Sequence, residues 1–143
     1  MESEREKVWT EKYRPMKFDQ LAYNTQHTKM LEKLIVADDF PHILLYGPPG
    51  AGKRTFTRCI LDSLFGPESN NMKSEIKEYK INTTIVEFLV YYSNHHIEIA
   101  PTNSEMHDRV IVNNMIRDVA ESQPIKKSKA NAKEYKIIVI HEL

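Results

Sequence analysis

Apolar residues recur along this chain with two different periods, and each switch between them marks an element. Met30, Leu31, Leu34 and Ile35 fall on one face at helical spacing, predicting a helix over Gln26 to Ala37 that Asn24 or Thr25 can cap. His42 to Tyr46 is a short apolar run bounded by Pro41 and Gly47, the pattern of a strand covered on both faces. A second helix starts at Lys53, with Phe56, Ile60, Leu61 and Leu64 as its inward stripe, and Gly66-Pro67 ends it. Before the first helix, Val8 to Pro15 reads as extended, because Pro15 disfavours helix in its predecessor.

The second half is more β-like. Residues 67–84 are polar and rich in Asn, predicting a loop with one edge strand at best. Ile85 to Tyr92 is β-branched or aromatic, and Ile97, Glu98 and Ile99 alternate within His96 to Ala100, predicting two strands. Asp108 can cap a further helix in which Val112, Met115, Ile116 and Val119 form one stripe. Gln123 to Lys133 is a lysine-bearing connector, and Ile137-Ile138-Val139-Ile140 is a buried strand. Strands alternating with helices predict an α/β fold with a parallel sheet flanked by helices. The chain stops on or just beyond a core strand, which reads as a domain incomplete at its C-terminus.

Composition narrows the class without naming a task. Hydrophobic residues at 41% and charged residues at 28% suit a globular chain of 143 residues. Twenty Lys plus Arg balance twenty Asp plus Glu, so any nucleic-acid contact must be a local patch. Residues 1–7 are a charged, frayed tail lacking the apolar stretch of a secretory signal, and no apolar run approaches bilayer-spanning length, so no membrane partner is expected. Cys59 alone excludes an internal disulfide and a cysteine-built zinc site, and it reads as a buried helix residue.

The chemistry concentrates at Gly47-Pro48-Pro49-Gly50-Ala51-Gly52-Lys53, a P-loop pattern placed between a strand and a helix. Gly50 and Gly52 let backbone N–H groups converge on phosphate, the helix N-terminus adds partial positive charge, and Lys53 reaches the β and γ phosphates. ATP or ADP is therefore the expected cofactor. One position later, where a Ser or Thr hydroxyl normally meets magnesium, stands Arg54. Thr55 is rotated about 100° from that position and cannot simply replace it. Arg54 can point outward or touch phosphate, but it cannot ligate a metal.

The terminal strand repeats this pattern of retained and altered parts. Four apolar residues precede His141-Glu142, where a Walker B strand carries two acids. The first acid normally holds the magnesium water shell and the second orients the attacking water. Neutral imidazole is a poor ligand for hard Mg²⁺, whereas Glu142 can still polarise water. No protein metal ligand is assigned, magnesium is left open, and His141 by itself reads as a surface histidine at a strand end.

Trp9-Thr10-Glu11-Lys12-Tyr13-Arg14-Pro15, Phe40-Pro41-His42 and the P-loop together resemble the opening of the AAA+ clamp-loader small subunits, the replication factor C family. Similarity is greatest to the branch called subunit three, whose P-loop also has a basic residue after the lysine. The resemblance runs from about Val8 to Leu143, with a break over residues 67–95. It implies a partial AAA+ nucleotide-binding domain over residues 8–143, and an ATP-binding subunit that helps place a sliding clamp on primer-template DNA in replication and repair. Other replication factor C subunits would be its partners and the nucleus its location. Tyr13, Arg14 and Pro15 would lie on the adenine side, with Trp9 packing the edge. Gly47, Pro48, Pro49, Gly50, Ala51, Gly52, Lys53, Arg54 and Thr55 would surround the phosphates, with Glu142 catalytic. Asn113 and Arg117, on a helix over Asp108 to Ser122, would face the DNA backbone; read from the residues alone, they lie on a solvated face.

Two alternatives stay open. A silent or truncated subunit would bind nucleotide without hydrolysing it, in keeping with Arg54, His141 and the early end. A small P-loop kinase would need an acceptor site and a lid, and nothing downstream of the cradle supplies either.

Overall fold

The structure, a computed structural model, describes residues 8–37, 40–81, 84–99, 108–121 and 136–141. The chain divides into two compact units, Met1–Gly66 and Pro67–Leu143. The first is helical among its described residues. It contains α1 (Trp9–Lys12), a 3-10 turn at Phe18–Gln20, α2 (Thr25–Val36) and α3 (Lys53–Phe65). Its core gathers Phe18 and Leu21 from the turn, Leu31 and Ile35 from α2, and Phe56, Cys59 and Ile60 from α3. α2 and α3 thus each contribute residues three or four apart, as an amphipathic stripe requires, whereas α1 buries none.

The helix expectations stand with small changes. Asn24 is the N-cap of α2, held in the left-handed region at φ 56° and making no side-chain cap bond. Gly66 ends α3 at φ 79°, its N–H donating to Asp62 O at 2.7 Å. Two segments differ from the sequence reading. Val8 to Pro15 is not extended throughout, because Trp9–Lys12 closes one helical turn and only the residues next to Pro15 leave it. His42 to Tyr46 forms no strand. Ile43 and Leu45 pack on the core while Leu44 and Tyr46 stay exposed, so the run is buried on one side only. A strand exists through its ladder partners, and among the described residues of this unit there is no second strand to pair with.

The second unit holds a four-stranded sheet in the order β1 (Lys73–Ile81), β2 (Thr84–Tyr92), β3 (His96–Ile99) and β4 (Ile137–Ile140), with α4 (Asp108–Glu121). β1–β2 and β2–β3 are antiparallel and β3–β4 is parallel, so the sheet is mixed rather than wholly parallel. Short connections allow the antiparallel pairs, whereas the parallel pair needs the long crossover that contains α4. The single edge strand allowed for residues 67–84 is present as the nine-residue β1, preceded by a 3-10 turn at Pro67–Asn70. Edge position explains its sequence, since alternating Lys and Glu discourage a further strand.

Phe88, Val90, Ile99 and Met115 form the core of this unit, with Ile97 and Ile138 against it. Met115 is the point where α4 meets the sheet, and Ile116 of the expected stripe is exposed. β4 is half-buried rather than fully buried. The predicted connector over residues 123–133, the tail over residues 1–7, Ala100 and Leu143 lie outside the described residues.

Candidate nucleotide site

The P-loop turns on its glycines. Gly47, Gly50 and Gly52 adopt φ 152°, 79° and 83°, and Ala51 N–H donates to Pro48 O at 3.2 Å to close a tight turn. An L side chain at Gly50 or Gly52 would sit in the disfavoured left-handed region. Gly52 is the N-cap of α3, and the helix bonds begin at once with Phe56 N–H to Gly52 O at 2.9 Å. Gly52 O thus accepts the first helix bond, and the backbone N–H groups that follow it lie at the positive end of α3, which suits an anion.

Lys53 closes the loop. Its Nζ donates to Gly47 O at 2.7 Å and to Pro48 O at 3.0 Å, so the ammonium lies over the start of the loop. Neutral carbonyls are modest partners for an ammonium, and phosphate oxygens make shorter, charge-assisted bonds. The predicted cradle residues therefore come together as one local arrangement. The set fits a nucleotide polyphosphate: positive-φ glycines, the N-terminus of α3 and the Lys53 ammonium.

The same set does not fit a protein-held magnesium ion. Arg54 is exposed at the position where a hydroxyl would be needed. Thr55 is half-buried, and Thr57 Oγ1 is engaged with Lys53 O at 3.1 Å. Among the described residues no group of three or more His, Cys, Asp or Glu is placed to hold a metal.

Arg14 and Pro15, predicted for the base side, are tied to α3. Cys59 Sγ approaches Pro15 O at 3.9 Å, and Cys59 lies six residues beyond Lys53, about 9 Å along the helix axis. Glu11 pairs with Arg14 and also faces Arg58 of α3, its Oε2 lying 3.8 Å from Arg58 Nη1. Tyr13 is exposed with Lys12 Nζ 5.6 Å from its ring centroid. Trp9 is 78% exposed. Cys59 is fully buried as expected, and burial together with nearby Asp62 and Asp19 pushes its thiol up to about 11, so it is a packing residue.

In the second unit, His141 is not a bare surface histidine. His96 and Glu98 are two apart on β3 and share a face, and the pairing of Glu98 with Val139 puts His141 on that face too. His141 Nε2 lies 3.0 Å from Glu98 Oε2, and His141 N–H donates to Ile99 O at 2.8 Å. His96, 2% exposed, places Nε2 3.3 Å from Glu98 Oε1 without completing a hydrogen bond, while its Nδ1 meets Ser93 Oγ at 2.7 Å. Burial alone would raise the Glu98 pKa. Contacts from His141, then His96, outweigh it and bring the carboxyl down to about 2. Sequence reading missed this cluster, although a Glu two residues after a His in an alternating strand was the available signal.

Glu142, expected to be catalytic, lies outside the described residues. Asn113 and Arg117 are exposed one turn apart on α4, on the side away from buried Met115. That is the solvated face read from the sequence. Among the described residues no helix is long and apolar enough to cross a membrane.

Comparison with known proteins places the arrangement in a lineage. Residues 1–143 match the profile described as the Rad17 P-loop domain. The chain is 33% identical over 138 residues to probable replication factor C subunit 3 of Dictyostelium discoideum, covering 95% of this chain and 39% of that protein. It is 35% identical over 139 residues to replication factor C subunit 3 of Bos taurus, covering 95% and 38%. It is also 33% identical over 140 residues to replication factor C subunit 5 of Saccharomyces cerevisiae, covering 94% and 40%. The chain thus spans well under half the length of these relatives. The resemblance read from the motifs is borne out, and the fold is that of a P-loop NTPase.

Proposed function

Because this chain belongs to the Rad17 P-loop domain family, we propose that it binds ATP or ADP on Gly47–Lys53 and serves as the nucleotide-binding subunit of a DNA sliding-clamp loader. The relatives' names support an assembly with other replication factor C subunits. The observation that carries nucleotide binding is the position of Lys53 Nζ over Gly47 O and Pro48 O, at a helix terminus reached through positive-φ glycines. Tyr13, Arg14 and Pro15 take the base side in this proposal, and Arg54 and Thr55 flank the phosphates. Action in replication and repair, contacts with the sliding clamp, contacts of Asn113 and Arg117 with primer-template DNA, and a nuclear location belong to the same proposal.

Titration of the 143-residue chain with ADP by calorimetry tests it. Lys53→Ala is expected to weaken binding at least about tenfold, the loss of a charge-assisted contact. Unchanged affinity in that variant would sink the proposal.

A silent subunit is the second reading, favoured by the exposed Arg54 at the hydroxyl position. Turnover with Mg²⁺, measured with the other loader subunits present, separates the two. Lys53-dependent hydrolysis at this site excludes the silent version.

A further inference from the structure

Tyr23 belongs to none of the motifs, yet the fold brings it against the phosphate loop. Buried Leu21 and left-handed Asn24 fix the turn into α2, and Tyr23 lies between them. Its ring meets Phe56 edge-on, with centroids 6.0 Å apart and planes at 79°. Phe56 is a core residue in the first turn of α3, so the tyrosine is anchored rather than loose on the surface. The hydroxyl then lies over Gly52: a Cβ placed on that glycine would be 2.1 Å from Tyr23 Oη and 3.2 Å from Cζ. The phenolic oxygen is thus held where the phosphate loop passes into α3. Among the described residues it makes no hydrogen bond, so its O–H is available to a ligand.

We propose that Tyr23 is a further nucleotide-contacting residue, its hydroxyl donating a hydrogen bond to the nucleoside di- or triphosphate held on the loop while its ring backs Gly52. This rests on the reading that Gly47–Lys53 holds a nucleotide. The anchoring by Phe56 is what makes the contact effective, because a donor already in place loses little freedom when the ligand arrives.

The test is ADP calorimetry on the 143-residue chain and three variants, with thermal melting of each ligand-free protein alongside. Tyr23→Phe keeps the ring against Phe56 and removes only the hydroxyl. It is expected to weaken ADP binding about fivefold, the worth of one hydrogen bond, with an unchanged melting midpoint. Tyr23→Ala is expected to weaken it about tenfold or more, since Gly52 also loses its wall. In the wild type, the Tyr23 ¹³Cζ resonance, identified by its disappearance in Tyr23→Phe, is expected to move on adding ADP and to stay still in Lys53→Ala. Wild-type ADP affinity in Tyr23→Phe, with binding lost in Lys53→Ala, overturns the role of Tyr23 and leaves the loop reading standing. A Tyr23→Phe protein that loses affinity and melting midpoint together overturns it as well, because the effect is then one of folding. If the wild-type chain itself takes up no ADP, both proposals fall.

Discussion

The N-terminus of α3 and the carboxyl end of β4 are built on opposite principles. At α3 the phosphate loop itself comes from consecutive residues, Gly47 to Thr55, and glycine conformations assemble it. At β4 the chemistry comes from a neighbour: Glu98 on β3 reaches His141 across the sheet, and His96 flanks the same carboxylate. A local motif carries its geometry within its own sequence. A contact between strands depends on register, which the residues around His141 do not reveal.

The largest effect is expected where that register is tested. Glu98 has its pKa lowered from 4.5 to about 2 in the folded chain, so its contribution is complete above pH 4.5 and disappears as pH falls through about 2. Denaturant unfolding across that window should show a loss of ~2–3 kcal/mol that is absent in Glu98→Gln. Glu98→Ala at neutral pH should cost a similar ~3 kcal/mol, because it leaves two histidines without their carboxylate in a buried site. A pH profile shared by wild type and Glu98→Gln would remove the contrast between the two ends.

At the local end the expected effect is smaller. Gly52→Ala forces a side chain into φ 83° and pushes a Cβ toward the Tyr23 hydroxyl. Left-handed strain of ~1–2 kcal/mol follows from the backbone alone, readable as a lower melting midpoint. Combining it with Tyr23→Ala should recover the steric part and leave the backbone part. Full recovery in the double variant would mean that the tyrosine, and not the conformation of the loop, decides this position.

The same division explains what could be read from the residues. The P-loop, its helix, the cap at Asn24 and the stop at Gly66 were legible because each is a short-range consequence of residue type. The run from His42 to Tyr46 was not, because an apolar segment shows that it can be buried but not what it pairs with. β1 was legible only as a single edge strand at best, because its charges resemble a loop until β2 is seen beside it, joined from Lys73↔Tyr92 to Ile81↔Thr84. The alternation of Ile97, Glu98 and Ile99 marked a strand without showing that Glu98 would meet His141. Tyr23 carried no signal, since nothing at its position anticipates Gly52 some thirty residues later.

Met30 offers the smallest effect and a measure of how finely spacing resolves a face. It was grouped with Leu31, Leu34 and Ile35, and one helical step of about 100° separates it from Leu31. Leu31 is 8% exposed and Met30 is 62% exposed, so the packed stripe of α2 runs through Thr28, Leu31 and Ile35, with Met30 beyond its edge. Met30→Lys replaces one long unbranched side chain with another of similar helix propensity on the wet side of that edge. Its cost in denaturant unfolding should stay within ~0.5 kcal/mol. A loss of ~2 kcal/mol or more would mean that the apolar face is as wide as the four-residue grouping implies. A near-zero value would confine reliable inference from helical spacing to the centre of a stripe, because positions at its margin take their burial from the neighbour and not from the period.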